Sequence, residues 1–227
     1  MTRAKSSPLL DLLVTIIVPS VILMKLSDPE SLGAVNALLL ALAFPLSWGA
    51  RSQLRERRVN PFAALGLVSV LLTGGIGLLQ LDTQWLAVKE AAIPGLIGLA
   101  VATSAYTRYP LVRVILFSPA LMDVERIQHA LDERGNRADF EVHLKTATWI
   151  LAGSFLFSSV MNYFLATWIV TSPSGTTAFN EELGWLTLLS YPMIALPSML
   201  IMLLALYYLA RTIHALAGLK LAEAFKH

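Results

Sequence analysis

Charged residues in this chain are confined to short stretches between long apolar runs. Of its 227 residues, 56% are hydrophobic and only 14% are charged. A helix at the surface of a water-soluble protein carries polar residues along one face at helical spacing. These runs lack that pattern, which indicates that hydrocarbon surrounds much of the chain.

Six runs approach or exceed the roughly 20 apolar residues that a helix needs to cross a bilayer. They predict an all-α, polytopic membrane bundle of six transmembrane helices, at about 8–26, 32–48, 62–81, 85–106, 146–169 and 183–210. The first run ends at Lys25 without a small-residue cleavage site, so we interpret it as an uncleaved span. The chain, 1–227, is then a single membrane domain.

The basic residues predict how these spans are oriented, because cytoplasmic loops are enriched in Lys and Arg. With the N-terminus placed inside, every Lys and Arg except Lys25 and Lys89 falls in a cytoplasmic segment. Both ends of the chain are therefore predicted to be cytoplasmic. Ile17–Leu23 in the first span also resembles Ile93–Leu99 in the fourth, which leaves open either an inverted repeat of three plus three spans or a coincidence of apolar sequence.

The one long connection is the predicted cytoplasmic loop 107–145, which carries an amphipathic helix at about 119–134. Ser118 is the expected N-cap, Pro119 the first helical residue, and Gly135 the end of the helix. Its apolar residues recur at helical spacing: Leu121, Val124, Ile127 and Leu131. The helix either covers the base of the bundle or docks a partner protein.

Catalytic signatures are absent from the sequence, so we predict no enzymatic activity, no cofactor and no metal site. There are no cysteines, no Gly-rich phosphate loop, no His-Glu-x-x-His and no Gly-x-Ser-x-Gly. The four histidines lack metal-ligand spacing: His129, His143, His214 and His227. The basic cluster at 51–58 is typical of a topology anchor on anionic lipid, and it argues against a nucleic-acid partner.

The candidate binding residues are ionisable or polar groups within spans, where each is costly and needs a reason. Lys89 and Glu90 precede Pro94 in the fourth span, and adjacent side chains point about 100° apart, so we expect no simple mutual neutralisation. They either line a polar cavity that binds an anion, a lipid headgroup or a proton, or extend outward to the headgroups. Asn162 and Tyr191 are further candidates, for contacts between helices or with a ligand.

Glycines in the third and fourth spans predict that these two helices pack closely. They are Gly74, Gly75, Gly77, Gly95 and Gly98. The same region carries a family resemblance: it reads Thr73-Gly74-Gly75-Ile76-Gly77, Trp85, Lys89-Glu90, Pro94-Gly95-Leu96-Ile97-Gly98-Leu99 and Tyr109-Pro110-Leu111. It resembles the bacterial intracellular septation protein A group, most closely that group's uncharacterised six-span relatives. Trp149, Phe155, Phe157 and Asn162 also fit that pattern.

The resemblance implies a Gram-negative inner-membrane protein tied to envelope synthesis or division, without enzymatic activity. We therefore expect cell-envelope maintenance or division through contacts with membrane lipids and other envelope proteins, or with a second copy in a homodimer. The alternative is a small transporter or translocator of lipids or anions, with its site at Lys89, Glu90 and Pro94.

Overall fold

The computed structural model describes residues 12–56, 61–107, 110–118 and 122–219, with every side chain among them except those of 52–56 and 61–67. All regular elements in these ranges are helical. The helices are α1 (Val18–Lys25), α2 (Ala34–Glu56), α3 (Pro61–Leu78), α4 (Gln84–Ser104), α5 (Val112–Ile115), α6 (Val124–Glu133), α7 (Arg137–Ile169), α8 (Thr177–Ser190) and α9 (Leu196–Ala217). Two π-helical turns, Leu13–Ile17 and Tyr191–Ala195, directly precede α1 and α9.

Four helical stretches in the described residues are long and apolar enough to cross a membrane, as expected of a multi-pass membrane protein. They are Ala34–Arg51, Gln84–Ser104, Arg137–Ile169 and Thr177–Ala217. The prediction of six is wrong for this part of the chain, where the described residues of the runs at 8–26 and 62–81 contribute only the shorter apolar stretches Leu13–Lys25 and Val68–Leu78.

Local backbone geometry ends both short helices. After α1, Leu26 leaves the helical region with φ −116° and ψ 5°. After α3, Gln80 takes a left-handed conformation with φ 53°. The N–H of Gln80 then donates to the carbonyl of Gly77, and the N–H of Leu81 donates to that of Ile76. This pair of bonds is a Schellman motif, which satisfies the last carbonyls of the helix and turns the chain.

The span boundaries differ from the predictions mainly by extension. The predicted span 85–106 matches α4, but α7 begins at Arg137, nine residues before the predicted span start at Thr146, because no helix-breaking residue intervenes. The last helical stretch begins at Thr177, where the hydroxyl of Thr176 accepts a 3.1 Å bond from the N–H of Phe179. It ends where Gly218 takes φ +70°.

Each π-helical turn comes shortly before a proline that would otherwise disturb the helix. Pro19 has no N–H, so it cannot donate to the carbonyl of Thr15. The N–H of Val18 donates to the carbonyl of Leu13, five residues earlier, which is the π-helical bond. Pro197 follows the second turn, which also contains Pro192. The sequences after the two turns are alike, Val18-Pro19-Ser20-Val21-Ile22-Leu23-Met24 and Leu196-Pro197-Ser198-Met199-Leu200-Ile201-Met202. This likeness relates α1 to α9, whereas the predicted repeat of the first and fourth spans stays a prediction.

The chain divides into two compact units. The first unit comprises Met1–Ala91 and Met161–Ile194, and the second comprises Ala92–Val160 and Ala195–His227. The core of the first unit includes Ile22, Leu38, Ile76, Leu86, Leu165 and Phe179. Gly184 brings α8 close to α1 there, since a Cβ on it would lie 2.6 Å from the Cγ of Met24 and 3.0 Å from the carbonyl oxygen of Ser20.

In the second unit, the amphipathic helix α6 packs its apolar face into the core. Ile127 and Leu131 are buried among residues of α4, α7 and α9. The helix begins at Val124 rather than near 119, because Asp123 is the N-cap and its carboxylate accepts from the N–H of Arg126 at 3.3 Å. The predicted cap Ser118 is therefore wrong, and Pro119 lies outside the described residues. The burial of this apolar face favours the interpretation in which the helix covers the core, here that of the second unit, over the one in which it docks a partner protein.

Candidate functional site

The strongest candidate site in the sequence, Lys89, is a buried cation between two helices. Lys89 lies in the second turn of α4, and 8% of its surface is exposed. Its Nζ donates to Thr73 Oγ1 at 2.7 Å and to Ser69 Oγ at 3.2 Å, both on α3. Residues four apart on a helix share a face, so α3 presents these two hydroxyls together.

Glu90 completes the site, because its Oε1 lies 2.6 Å from Lys89 Nζ. The expectation that these neighbours do not neutralise each other is wrong. Although their Cα–Cβ bonds diverge, the four methylenes of lysine are long enough to bring the ammonium group back to the adjacent carboxylate. The Lys89 side chain is buried between α3 and α4, whereas 28% of the Glu90 side chain remains exposed.

The three acceptors match the hydrogen-bonding capacity of Lys89. A lysine ammonium group has three N–H donors and no acceptor, and Ser69, Thr73 and Glu90 take one each. A buried charge needs such compensation, since leaving it unpaired in an apolar surrounding costs several kcal/mol. The cluster therefore joins α3 to α4 and has no lysine N–H left over for a ligand.

The other candidate residues are Pro94, Asn162 and Tyr191. Pro94 is accommodated within an unbroken α4. Asn162 on α7 is half-buried and has a partner of its own. Tyr191 begins the second π-helical turn and is 41% exposed.

The glycines of the third and fourth spans pack against other helices than predicted. In the first unit, a Cβ on Gly74 would lie 2.6 Å from the side chain of Leu42, and a Cβ on Gly77 would lie 2.6 Å from that of Leu38. These two glycines therefore allow α2 to pack closely against α3. In the second unit, a Cβ on Gly95 would lie 2.8 Å from Ser159 Oγ on α7, and Gly98 also faces that helix. These glycines were predicted to let α3 and α4 pack closely, but each set instead accommodates the larger side chains of a third helix.

The sequence reasoning missed Asn180, a fully buried amide in the first unit. Its Nδ2 donates to the carbonyl of Ala34 at 2.7 Å and to Ser27 Oγ at 3.0 Å, while Thr177 Oγ1 donates to the carbonyl of Ser27 at 3.1 Å. These bonds tie the α1–α2 connection to the start of α8. The residue escaped notice because it precedes the predicted start of the last span at 183, where an amide is expected to meet water.

Glu182 was also missed, and it organises the connection between α7 and α8. Its carboxylate accepts from the backbone N–H and the hydroxyl of both Thr171 and Ser172, at 2.8–3.2 Å.

In the described part of the chain, no group of three or more His, Asp or Glu side chains is arranged to hold a metal ion. The polar clusters of the first unit thus connect elements of the protein to one another.

These features describe a helical protein with several helices long and apolar enough to span a membrane, and with polar clusters that connect its elements. Comparison with protein-family models, with curated proteins and with solved structures found no match to this chain.

Proposed function

We propose that this chain is a multi-pass protein of the bacterial inner membrane that serves cell-envelope maintenance or division through contacts with lipid and other envelope proteins. The envelope role rests on the sequence resemblance to the septation protein A group. Both termini are proposed to face the cytoplasm, a proposal that rests on the distribution of Lys and Arg along the sequence.

One observation supports a role in contacts over one in transport. The single lysine that the sequence offers as a substrate-binding group has its three N–H donors engaged by Ser69, Thr73 and Glu90. A transport site would need to release at least one of these bonds to bind an anion, leaving a buried acceptor unpaired. The cluster is better suited to holding two helices together.

The helix surfaces support the same proposal. Large apolar side chains are exposed on several spanning helices, including Leu96 at 67%, Val160 at 68%, Trp168 at 62% and Leu204 at 61%. Exposed apolar surface on this scale marks a contact region for lipid or protein. The outer face of α6 adds a polar surface, with Glu125 and His129 exposed.

The test is photo-crosslinking in living cells with a benzophenone amino acid at His129, on the exposed face of α6, and at Leu204 on α9. We expect a discrete envelope-protein adduct from at least one position and none from the buried control position Ile127. Loss of the gene should also sensitise cells to detergents. The proposal is wrong if neither exposed position captures an envelope protein and the deletion leaves envelope integrity unchanged.

A further inference from the structure

A groove in the second unit combines a cation with hydrogen-bond donors. It has a volume of about 260 Å³ and is lined by His143 on α7 and by Tyr208, Arg211, Thr212, Ala215 and Leu216 on α9. The α9 residues recur at intervals of three and four, so they lie along one face of that helix. Pockets that enclose drug-sized ligands measure roughly 300–1,000 Å³, so this groove suits a smaller group.

Arg211 supplies the positive charge of this groove. Its side chain is exposed, and none of the salt bridges in the described residues involves it. The groove lining includes no carboxylate. By contrast, Arg113 and Arg137 in the same unit pair with Glu141 and Asp132. The guanidinium group therefore retains its planar fork of donors, which matches two oxygens of a phosphate.

His143 and Tyr208 add one further donor whichever tautomer the histidine adopts. The Nδ1 of His143 lies 2.6 Å from the hydroxyl oxygen of Tyr208. If the tyrosine donates this bond, a neutral imidazole carries its proton on Nε2 and can donate from there. If Nδ1 donates instead, the tyrosine hydroxyl keeps its own proton for another acceptor. The pair therefore holds one unused N–H or O–H beside Arg211.

We propose that this groove binds a phosphate group, with Arg211 as the charged ligand and the His143–Tyr208 pair as the neutral donor. The phosphate belongs either to an anionic phospholipid headgroup or to a free phosphate. Basic pockets between membrane helices commonly bind lipid headgroups. This inference goes beyond the proposed envelope role and does not depend on it.

The experiment uses the full-length protein purified in detergent and stripped of lipid. One arm measures retention of phosphatidylglycerol by native mass spectrometry, and the other measures binding of inorganic phosphate by calorimetry. We expect Arg211→Gln to weaken binding by at least about tenfold, since bonds to charged groups are worth about 1.5–3 kcal/mol. Arg211→Lys should recover part of the loss, because it restores the charge but not the fork.

Arg51→Gln is the matched control, because it removes one exposed positive charge from the first unit. Its affinity should equal that of the wild type. Tyr208→Phe keeps every charge and should weaken binding by about three- to tenfold, so it tests the site even if Arg211→Gln fails to fold. Binding of phosphatidylglycerol but not of inorganic phosphate identifies a headgroup site. Binding of inorganic phosphate, with or without the lipid, also supports the proposal. No binding in either arm, or equal losses in Arg211→Gln and Arg51→Gln, overturns it.

Discussion

Lys89 Nζ lies 2.7 Å from the hydroxyl oxygen of Thr73, so a cation on α4 is held by a side chain on α3. Thr73 Oγ1 in turn donates to the carbonyl of Ser69 at 3.1 Å, one helical turn earlier. The hydroxyl thus accepts from lysine and donates to the backbone at once. Such a chain of bonds leaves little freedom for any member to move independently.

Replacing Lys89 with methionine should therefore destabilise the protein. The substitution keeps much of the side-chain volume but deprives Glu90 and Thr73 of their donor, which costs about 1–3 kcal/mol. In detergent this corresponds to a fall in the unfolding midpoint of roughly 2–4 °C per kcal/mol for a chain of this size. The double substitution K89M/E90Q should regain part of the loss, since it removes the uncompensated carboxylate.

The control is Lys25→Met, at an exposed lysine in the last turn of α1. It should leave the unfolding midpoint within about 1 °C, because exposed charges contribute little. Equal effects at the two lysines would show that the contacts of Lys89 are not stabilising. The transport alternative predicts a change in activity and not only in stability. On that alternative, K89M protein that folds in liposomes would lose the anion flux of the wild type.

Gly184→Ala should loosen the contact between α8 and α1. The new methyl group would lie 2.6 Å from Met24 Cγ and 3.0 Å from the backbone carbonyl of Ser20, so the helices must separate. Overpacking of this kind costs about 1–3 kcal/mol, measurable by thermal unfolding in detergent.

Gly153→Ala is the matched control, because a Cβ at Gly153 has nothing within 4 Å. There the gain in helix propensity, up to ~1 kcal/mol, should act alone and leave stability equal or higher. If Gly184→Ala proves as stable as Gly153→Ala, the close approach of α8 to α1 is not a constraint on the fold.

Asn180→Asp should release the α1–α2 connection from α8. An aspartate lacks the amide donor and would face the carbonyl oxygen of Ala34 and the hydroxyl of Ser27, both now acceptors without that donor. The expected cost is about 2–4 kcal/mol for a fully buried group. Hydrogen exchange should speed up in residues 26–34.

Asn36→Asp is the comparison, since Asn36 makes a similar amide bond to the carbonyl of Leu32 but at an exposed position. Water can replace that bond, so the change in stability should stay below about 0.5 kcal/mol. Unaltered exchange in the connection of the Asn180 variant would contradict the role assigned to the amide.

Accessibility labelling can test the proposed orientation directly, because the chain has no native cysteine. Single cysteines replacing the exposed residues Glu125 on α6 and Ala178 on α8 should label from opposite sides of the membrane. A cysteine at His227 should label from the same side as Glu125→Cys. Labelling of positions 125 and 178 from one side would contradict this orientation.

Hydropathy alone was enough to identify an all-helical chain with spanning helices, and it located α4 almost to the residue. It placed the end of the first run within one residue of Lys25 and that of the third within three residues of Leu78, but the left-handed Gln80 that turns the chain there leaves apolar composition unchanged. It failed at α6, where the carboxylate of Asp123 caps the helix and the earlier Ser-Pro pair does not.

The sequence singled out Lys89 and Glu90 by the rarity of charge within a span, and by itself it determined that the chain prefers hydrocarbon to water. Only the tertiary structure decided what surrounds that lysine, since Ser69 and Thr73 become acceptors when α3 packs beside α4. The same holds for the groove at Arg211, whose histidine comes from a different helix. Apolar content is additive along a chain and can be read locally, whereas hydrogen-bond partners depend on which helix faces which.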